Sequence, residues 1–444
     1  MVFPTPDPGS GPSRSSWRSG FPTANELQLP DTNEQHQLLT RPPNPLSPTP
    51  EATPGKRNRG KKHHQKRNNT SQNQPSEDMA PAPRRDILAK EHFAHAFGSA
   101  KTQTYLDPAA KGPGSHTIRT LAWNPAGSLI ATGSADKTLR IWNPERAHVR
   151  YSTELRGHSA AVENVLFNPI RDAELASCSA DGTVRIWDVR SKTCVSRLDV
   201  GGEAFTLSWS ADGDTMLVGR KDDTLIPISV QSPSTPTILS NETGTSSVPD
   251  ASIYSALPAR PQDVQTNATA FSWKIPNPES PNLRCFLTTG EGRVKIVDYP
   301  SFETLHTLNA HTAACISLAL APHGRYLAVG GGDALISLWD TTEWMCLRTC
   351  SSENGGAIRG VSWSFDGRYI CGASDEPDCP SNGLEIFHAE TGDSVYTVPT
   401  GPRATIPAVA WHPSRYWLAY STTNDGHGSS GSGLKIVGPG SGNL

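Results

Sequence analysis

Beyond residue 115 the chain alternates between tight polar turns and short runs in which apolar and polar residues take turns. Leu139-Arg140-Ile141-Trp142, Val184-Arg185-Ile186-Trp187 and Ile336-Ser337-Leu338-Trp339 are such runs, and a period of two predicts β-strands. Each follows a turn: Ala135-Asp136-Lys137-Thr138, Ala180-Asp181-Gly182-Thr183 and Gly332-Asp333-Ala334-Leu335. On a longer scale a large residue recurs just ahead of a turn, at Trp123, Phe167, Trp209, Trp273, Leu320, Trp363 and Trp411. The gaps between them are 44, 42, 64, 47, 43 and 48 residues, and five of the seven turns contain proline. A unit of roughly 40–45 residues is the length of one four-stranded propeller blade. The pattern predicts an all-β fold, a single seven-bladed β-propeller over residues 98–444.

The departures from the period predict the rest of the organisation. Residues 1–85 are rich in Pro, Ser, Thr and Asn and carry no apolar periodicity. Such a segment buries too little surface to offset its ordering entropy, so a disordered tail is expected. Residues 86–97 place Ile87, Leu88, Phe93 and Phe97 at near-helical spacing, which predicts a short docking helix with Asp86 as a candidate cap. A closed ring leaves no unpaired blade edge. Thr102–Leu106 is therefore expected to be the outer strand of the last blade, whose third strand is Leu434–Val437. The 64-residue gap exceeds one blade by about 20 residues, and the Ser/Pro/Thr-rich stretch 231–264 is expected to be a surface loop between the third and fourth blades.

Charge divides the chain unevenly. Residues 1–97 hold 13 Lys/Arg against 9 Asp/Glu, and the rest holds 27 against 34. A mildly acidic body does not grip nucleic acid by broad electrostatics. The tail is another matter: Lys56, Arg57, Arg59, Lys61, Lys62, Lys66 and Arg67 make seven of twelve residues basic over 56–67. That run suits a nuclear import receptor or, secondarily, RNA phosphates. No stretch of about 18 apolar residues occurs, which predicts no membrane-spanning helix, and the first residues lack a secretory pattern. The eight cysteines lie between Cys178 and Cys379 with no Cys-x-x-Cys pair. They are expected to be reduced, mostly buried thiols.

The polar residues inside the repeats follow a fixed layout: His116…Asp136…Trp142, His158…Asp181…Trp187 and His311…Asp333…Trp339, with six residues from Asp to Trp each time. Recurrence at constant spacing is what a structural unit does, so these His, Ser/Thr and Asp residues are not read as a catalytic triad. No nucleophile elbow, phosphate loop or His-Glu-x-x-His occurs, and no enzyme activity, cofactor, metal or small-molecule substrate is expected. With Gly157-His158, Trp187-Asp188 and Trp339-Asp340 the chain resembles the WD-repeat family over roughly residues 100–440. The resemblance implies a hydrogen-bonded chain from Asp through His and a strand hydroxyl, such as Thr132 or Ser177, to the Trp indole.

Four blades are degraded. The third has Ile228 where a Trp is expected, the fourth Val297-Asp298, and the sixth and seventh carry lengthened turns at Ser374–Gly383 and Asn424–Gly428. Together with Asn309-Ala310-His311, Gly332–Asp340, Gly219–Asp223, Ala389–Asp393 and Val409–Pro413, these features resemble the WD-repeat subunits of THO complexes. That likeness implies a nuclear scaffold that couples transcription to messenger RNP packaging and export. Its partners would be the other, largely helical THO subunits and components of the TREX assembly, a DEAD-box helicase and an RNA-binding adaptor among them. RNA contact would be indirect or through the basic tail. Two other readings stand beside it. Trp187-Asp188-Val189-Arg190 fits the Trp-Asp-x-Arg pattern of propeller receptors for cullin-RING ubiquitin ligases. A channel mouth ringed with aromatics would suit histone or peptide binding. Arg220, Lys221, Asp222 and Asp223, four charges in a turn of a degraded blade, are the candidate partner interface together with Arg190.

Overall fold

The computed structural model of the 444-residue chain describes residues 87–105, 117–145, 152–231, 253–272, 283–352, 355–374, 383–401, 404–423 and 433–440. The tail with its basic run, His116, Trp273, Cys379 and the lengthened turns of the sixth and seventh blades lie outside them. Among the described residues no helix is long and apolar enough to cross a membrane.

Among the described residues seven antiparallel sheets are present, six built from strands that follow one another in sequence and the seventh completed by a strand from before the first blade. Blade 1 is Ile118–Trp123, Ile130–Ser134, Thr138–Trp142 and Thr153–Arg156; blade 2 is Val162–Phe167, Glu174–Ser179, Thr183–Asp188 and Thr193–Asp199. Blade 3 starts at Ala204–Trp209, blade 4 at Thr266–Phe271, blade 5 at Cys315–Leu320, blade 6 at Ile358–Trp363 and blade 7 at Val409–Trp411. The first strand of each blade touches the first strand of the next, and that of blade 7 returns to blade 1. The ring closes as the edge argument requires: Gln103–Tyr105 pairs with Gly433–Val437 as the outer strand of blade 7.

The outer strands of blades 4 and 5 face water, and inner strands face other blades. Thr304–Asn309 and Cys346–Ser351 are almost wholly exposed, whereas Ile130–Ser134 and Tyr369–Ser374 are buried throughout. The core is thus a set of apolar layers between neighbouring sheets, such as Ala176, Val184, Leu207, Trp209 and Met216 between blades 2 and 3. Five cysteines are buried in these layers, while Cys194 and Cys346, on outer strands, are exposed.

Three expectations change. The stretch 231–264 is not all loop. Ile253–Ala256 pairs with Thr224–Gln231 as the fourth strand of blade 3, and Arg260–Pro261 pairs with the same strand further along. Without this return Thr224–Gln231 would be an open edge. Second, the marker position of blade 4 belongs to Phe271, the last residue of its first strand and buried, rather than to Trp273. Third, the helix, α1, runs Lys90–Gly98 with Ala89 at its N-cap. It starts late because Leu88 is tied to the blades, its N–H donating to Tyr416 Oη and its carbonyl accepting from Tyr369 Oη, and Ala89 is extended.

Candidate partner-docking surfaces

Each blade offers two ends, and the sequence dictates which residues stand there. At one end lie the His–Asp pairs. In blade 2 the neutral His158 ring links Asp181 Oδ2 (3.0 Å) to Ser177 Oγ (2.8 Å), and Trp187 Nε1–H donates to Ser177 Oγ (2.9 Å). Burial holds the imidazole of His158 below its usual pKa against the pull of Asp181. Burial alone would raise the Asp181 carboxyl. Hydrogen bonds from Thr183 and the Ser159 N–H, then from His158, hold it far below the carboxylate range instead. Blade 5 repeats the chain with one change. His311 bonds Asp333 (2.9 Å), but the hydroxyl between His311 and the Trp339 indole is Ser337 Oγ, at 2.9 Å from each. Ser337 lies directly across the ladder from Val329, which takes the strand position of Ser177. In blade 1 Trp142 Nε1 donates to Thr132 Oγ1 (3.0 Å), while Asp136 pairs with Arg140 (2.9 Å).

The candidate cluster in blade 3 divides. Asp222 occupies the turn position of Asp181, and its partner is Arg220. The Arg220 guanidinium also donates to the Val200 carbonyl at 2.8 Å. It fills the space over Gly202, where a Cβ would meet Nε at 3.0 Å. In a blade whose entry loop has no histidine, an arginine holds the turn. Arg220 and Asp222 are therefore occupied by the blade itself. Lys221 remains exposed in an ion pair with Glu203 (2.6 Å), and Asp223 sits half-buried at positive φ.

The same end opens into the central channel, a cavity of about 570 Å³ lined by the first strands of all seven blades. Six of those strands carry a β-bulge after their first residue. The bulge residues Arg119, Glu163, Phe205, Asn267, Ile316 and Arg359 all line the mouth. Arg119 pairs with Glu163 across one seam, and Asn267 Nδ2 donates to the Cys315 carbonyl (2.8 Å) across another. One aromatic among six positions does not make a cage for a methylated cation.

At the opposite end the turns of neighbouring blades form grooves. Between blades 1 and 2 a cavity of about 560 Å³ is lined by Trp142, Asp172, Arg190 and Lys192 among others. Arg190 is exposed there, its backbone N–H bonded to Asp188 Oδ1 (3.0 Å). Between blades 6 and 7 the groove is filled by α1. Its Phe93 and Phe97 are fully buried against Tyr369 (centroids 4.1 Å) and Trp411 (5.8 Å). Lys90 reaches Asp393 at 2.5 Å. Sequence spacing singled out the phenylalanines but carried no sign of which blades receive them.

With this geometry in hand, comparison with known proteins is informative. The WD domain, G-beta repeat family matches residues 109–143 and 150–188, which hold blades 1 and 2. THO complex subunit 3 of Arabidopsis thaliana is 35% identical over 306 residues, covering 68% of this chain and 86% of that protein. The chain belongs to the family of THO complex subunit 3. WD repeat-containing protein AAC3 of Dictyostelium discoideum is 27% identical, over 68% of this chain and 60% of that one. The crystallised β-propeller domain of Myceliophteria thermophila Cps50 (Swd1) superposes with a TM-score of 0.58 at 17% identity, covering 76% of this chain and 99% of that one, a likeness of fold alone.

One further family, the Cytochrome D1 heme domain, matches residues 278–414, which fall in blades 4 to 7. The described residues do not fit a haem. No His, Cys, Met or Tyr lines the central channel to serve as an axial ligand. The histidines of this region are also engaged in the fold: His311 with Asp333, His323 with the Asp366 carbonyl, His388 with Thr391 and His412 with the Gly127 carbonyl, while His306 stacks on Trp344. No group of three or more His, Cys, Asp or Glu able to hold a metal occurs among the described residues.

Proposed function

We propose that this chain is a non-catalytic docking subunit of a nuclear THO complex. In that role it helps couple transcription to messenger RNP packaging and export within the TREX assembly. The observation that carries the reading is the 35% identity to THO complex subunit 3 across 86% of that protein's length. Such a span includes degraded blades, whose departures from the ideal repeat are not shared by every propeller. The conspicuous polar residues support it too, because they are consumed by the blades. What is left for recognition is channel mouth, groove and rim, the surfaces on which a scaffold presents loops. RNA contact belongs to the basic run at 56–67, and it should weaken steeply with salt. Affinity purification of the full chain from nuclear extract should recover large helical THO subunits in stoichiometric amounts; their absence ends the reading.

A second reading rests on the exposure of Arg190 at the groove between blades 1 and 2, where it suits a cullin-RING adaptor. Arg190→Ala should then abolish co-purification of the ligase adaptor. On the first reading it leaves THO association intact.

A further inference from the structure

The groove between blades 5 and 6 is the repeat-related copy of the groove that α1 fills. Matching backbone hydrogen bonds establish the equivalence. Asp340 N–H donates to the Met345 carbonyl in blade 5 as His388 N–H does to Asp393 in blade 6. Thr341 N–H donates to the Arg325 carbonyl as Ala389 N–H does to Arg368. In the strand ladders Leu338 faces Arg348 as Ile386 faces Tyr396. Tyr326 and Trp363 therefore stand where α1 finds Tyr369 and Trp411, Leu347 where it finds Val395, and Arg348 where it finds Tyr396.

The two grooves differ in what covers them. Against α1, Tyr369 is completely buried and Val395 and Tyr396 are packed in the same cluster. In the copy, Tyr326 and Trp363 form an aromatic floor with stacked rings (6.4 Å, 20°). Above it a cavity of about 390 Å³ is lined by that floor, Leu347, Arg348, Arg368 and His388. Among the described residues nothing fills it, and Leu347 and Met345 are 44% and 54% exposed. Charge is reversed as well. Met345 replaces Asp393, the partner of Lys90, and the arginines Arg348 and Arg368 face the groove. Asp366, which accepts from Tyr416 Oη and Ser364 Oγ, stands 3.9 Å from Arg368, and Glu390 lies at the rim, so the positive charge that the copy adds is that of Arg348, in the place of Tyr396.

We infer that the groove between blades 5 and 6 receives a short amphipathic helix from a partner protein. That helix presents two large apolar residues four apart, as Phe93 and Phe97 are, and an acidic residue where α1 has Lys90. The occupant follows from the self-docked copy and from the charge facing it. The inference deepens the docking reading above by naming one surface and the chemistry it takes.

A labelled peptide of residues 87–98 bearing Lys90→Glu, titrated into the full chain by fluorescence anisotropy, tests it. Saturable binding is expected, at least threefold tighter than for the unaltered peptide. Leu347→Glu, an exposed change that leaves the fold alone, should weaken binding at least tenfold, and Arg348→Glu should reverse the peptide preference. A peptide that prefers Lys90 and ignores Leu347→Glu is exchanging with α1 opposite Asp393, which overturns the inference. So does absence of saturable binding, or a benzophenone at position 347 that joins the chain to its own N-terminal residues or to a second copy. These outcomes are independent of whether the chain purifies with THO subunits, so the two readings fail separately.

Discussion

His412 illustrates how one side chain serves the ring. Its Nε2–H donates to the Gly127 carbonyl (3.0 Å), and its Nδ1 accepts from the N–H groups of Ser414 (3.0 Å) and Arg415 (3.1 Å). The neutral ring thereby fastens blade 7 to blade 1. Burial, with the Arg415 charge behind it, pushes its pKa down to about 4, against the opposing pull of the Gly127 carbonyl. Because the folded state disfavours the imidazolium, the stability His412 contributes is complete above the ordinary imidazole pKa near 6.5 and is lost as pH falls from there toward 4. The magnitude is ~3 kcal/mol, at about 1.4 kcal/mol per pH unit. Asp181 adds little to this window, since its depressed pKa withdraws stability mainly at more acid pH, whereas His158, lowered by burial, loses stability in the same direction as His412. Blade 2 shows the neutral substitute. Asn168 donates to the Gly213 carbonyl (3.0 Å) and accepts from the N–H groups of Ile170 and Arg171. His412→Asn should match the parent at pH 7 and lose less stability between pH 6.5 and 4 in urea titrations. An unchanged pH slope would place the acid sensitivity elsewhere.

At the scale of elements, α1 is the instructive case. Nine residues are too few for an isolated helix to persist in water, and no side chain caps its N-terminus. It exists because Phe93 and Phe97 are fully buried in the groove between blades 6 and 7 and because two tyrosine hydroxyls hold Leu88. Truncating a buried Phe costs roughly 3–5 kcal/mol, more than so short a helix holds. Phe97→Ala should therefore release α1 while the blades stay folded. Hydrogen exchange would report it as lost protection over residues 90–98 with blades 2 to 5 unchanged; protection retained along α1 would refute the dependence on that contact. The spacing of Phe93 and Phe97 was legible in the sequence. The late start at Lys90 was not, because it depends on Tyr369 and Tyr416, 281 and 328 residues beyond Leu88.

The whole molecule depends on closure. Polar side chains stitch the inner seams: Ser317 Oγ donates to the Ile358 carbonyl (2.9 Å) and Ser362 Oγ accepts from the Trp411 N–H (3.0 Å). The closing seam is tightest at Gly127, at φ 73°, where a Cβ would lie 2.3 Å from His412 Cε1. Gly127→Ala meets both a left-handed backbone and a buried ring, so a loss of ~2–4 kcal/mol is expected. Removal of one seam should lower the unfolding temperature of all seven blades together, since each blade is sealed by its neighbours. A separate early transition confined to blades 1 and 7 would show that closure is local.

What the sequence determined by itself is whatever repeats or is contiguous. The blade period and the His–Asp–Trp layout of blades 2 and 5 follow from alternation and turn chemistry, which act over a few residues, and the strand that closes blade 7 follows from the repeat once the ring must leave no open edge. Tertiary structure alone decided the contacts between distant residues. It gave Arg220 the job of a missing histidine, because the space over Gly201 and Gly202 exists only once blades 2 and 3 are side by side. It made Ile253–Ala256 a strand, because an open edge in blade 3 needed a partner. It also left the groove between blades 5 and 6 uncovered among the described residues while α1 filled its copy, a distinction that depends on packing across blades and leaves no local signature in the chain.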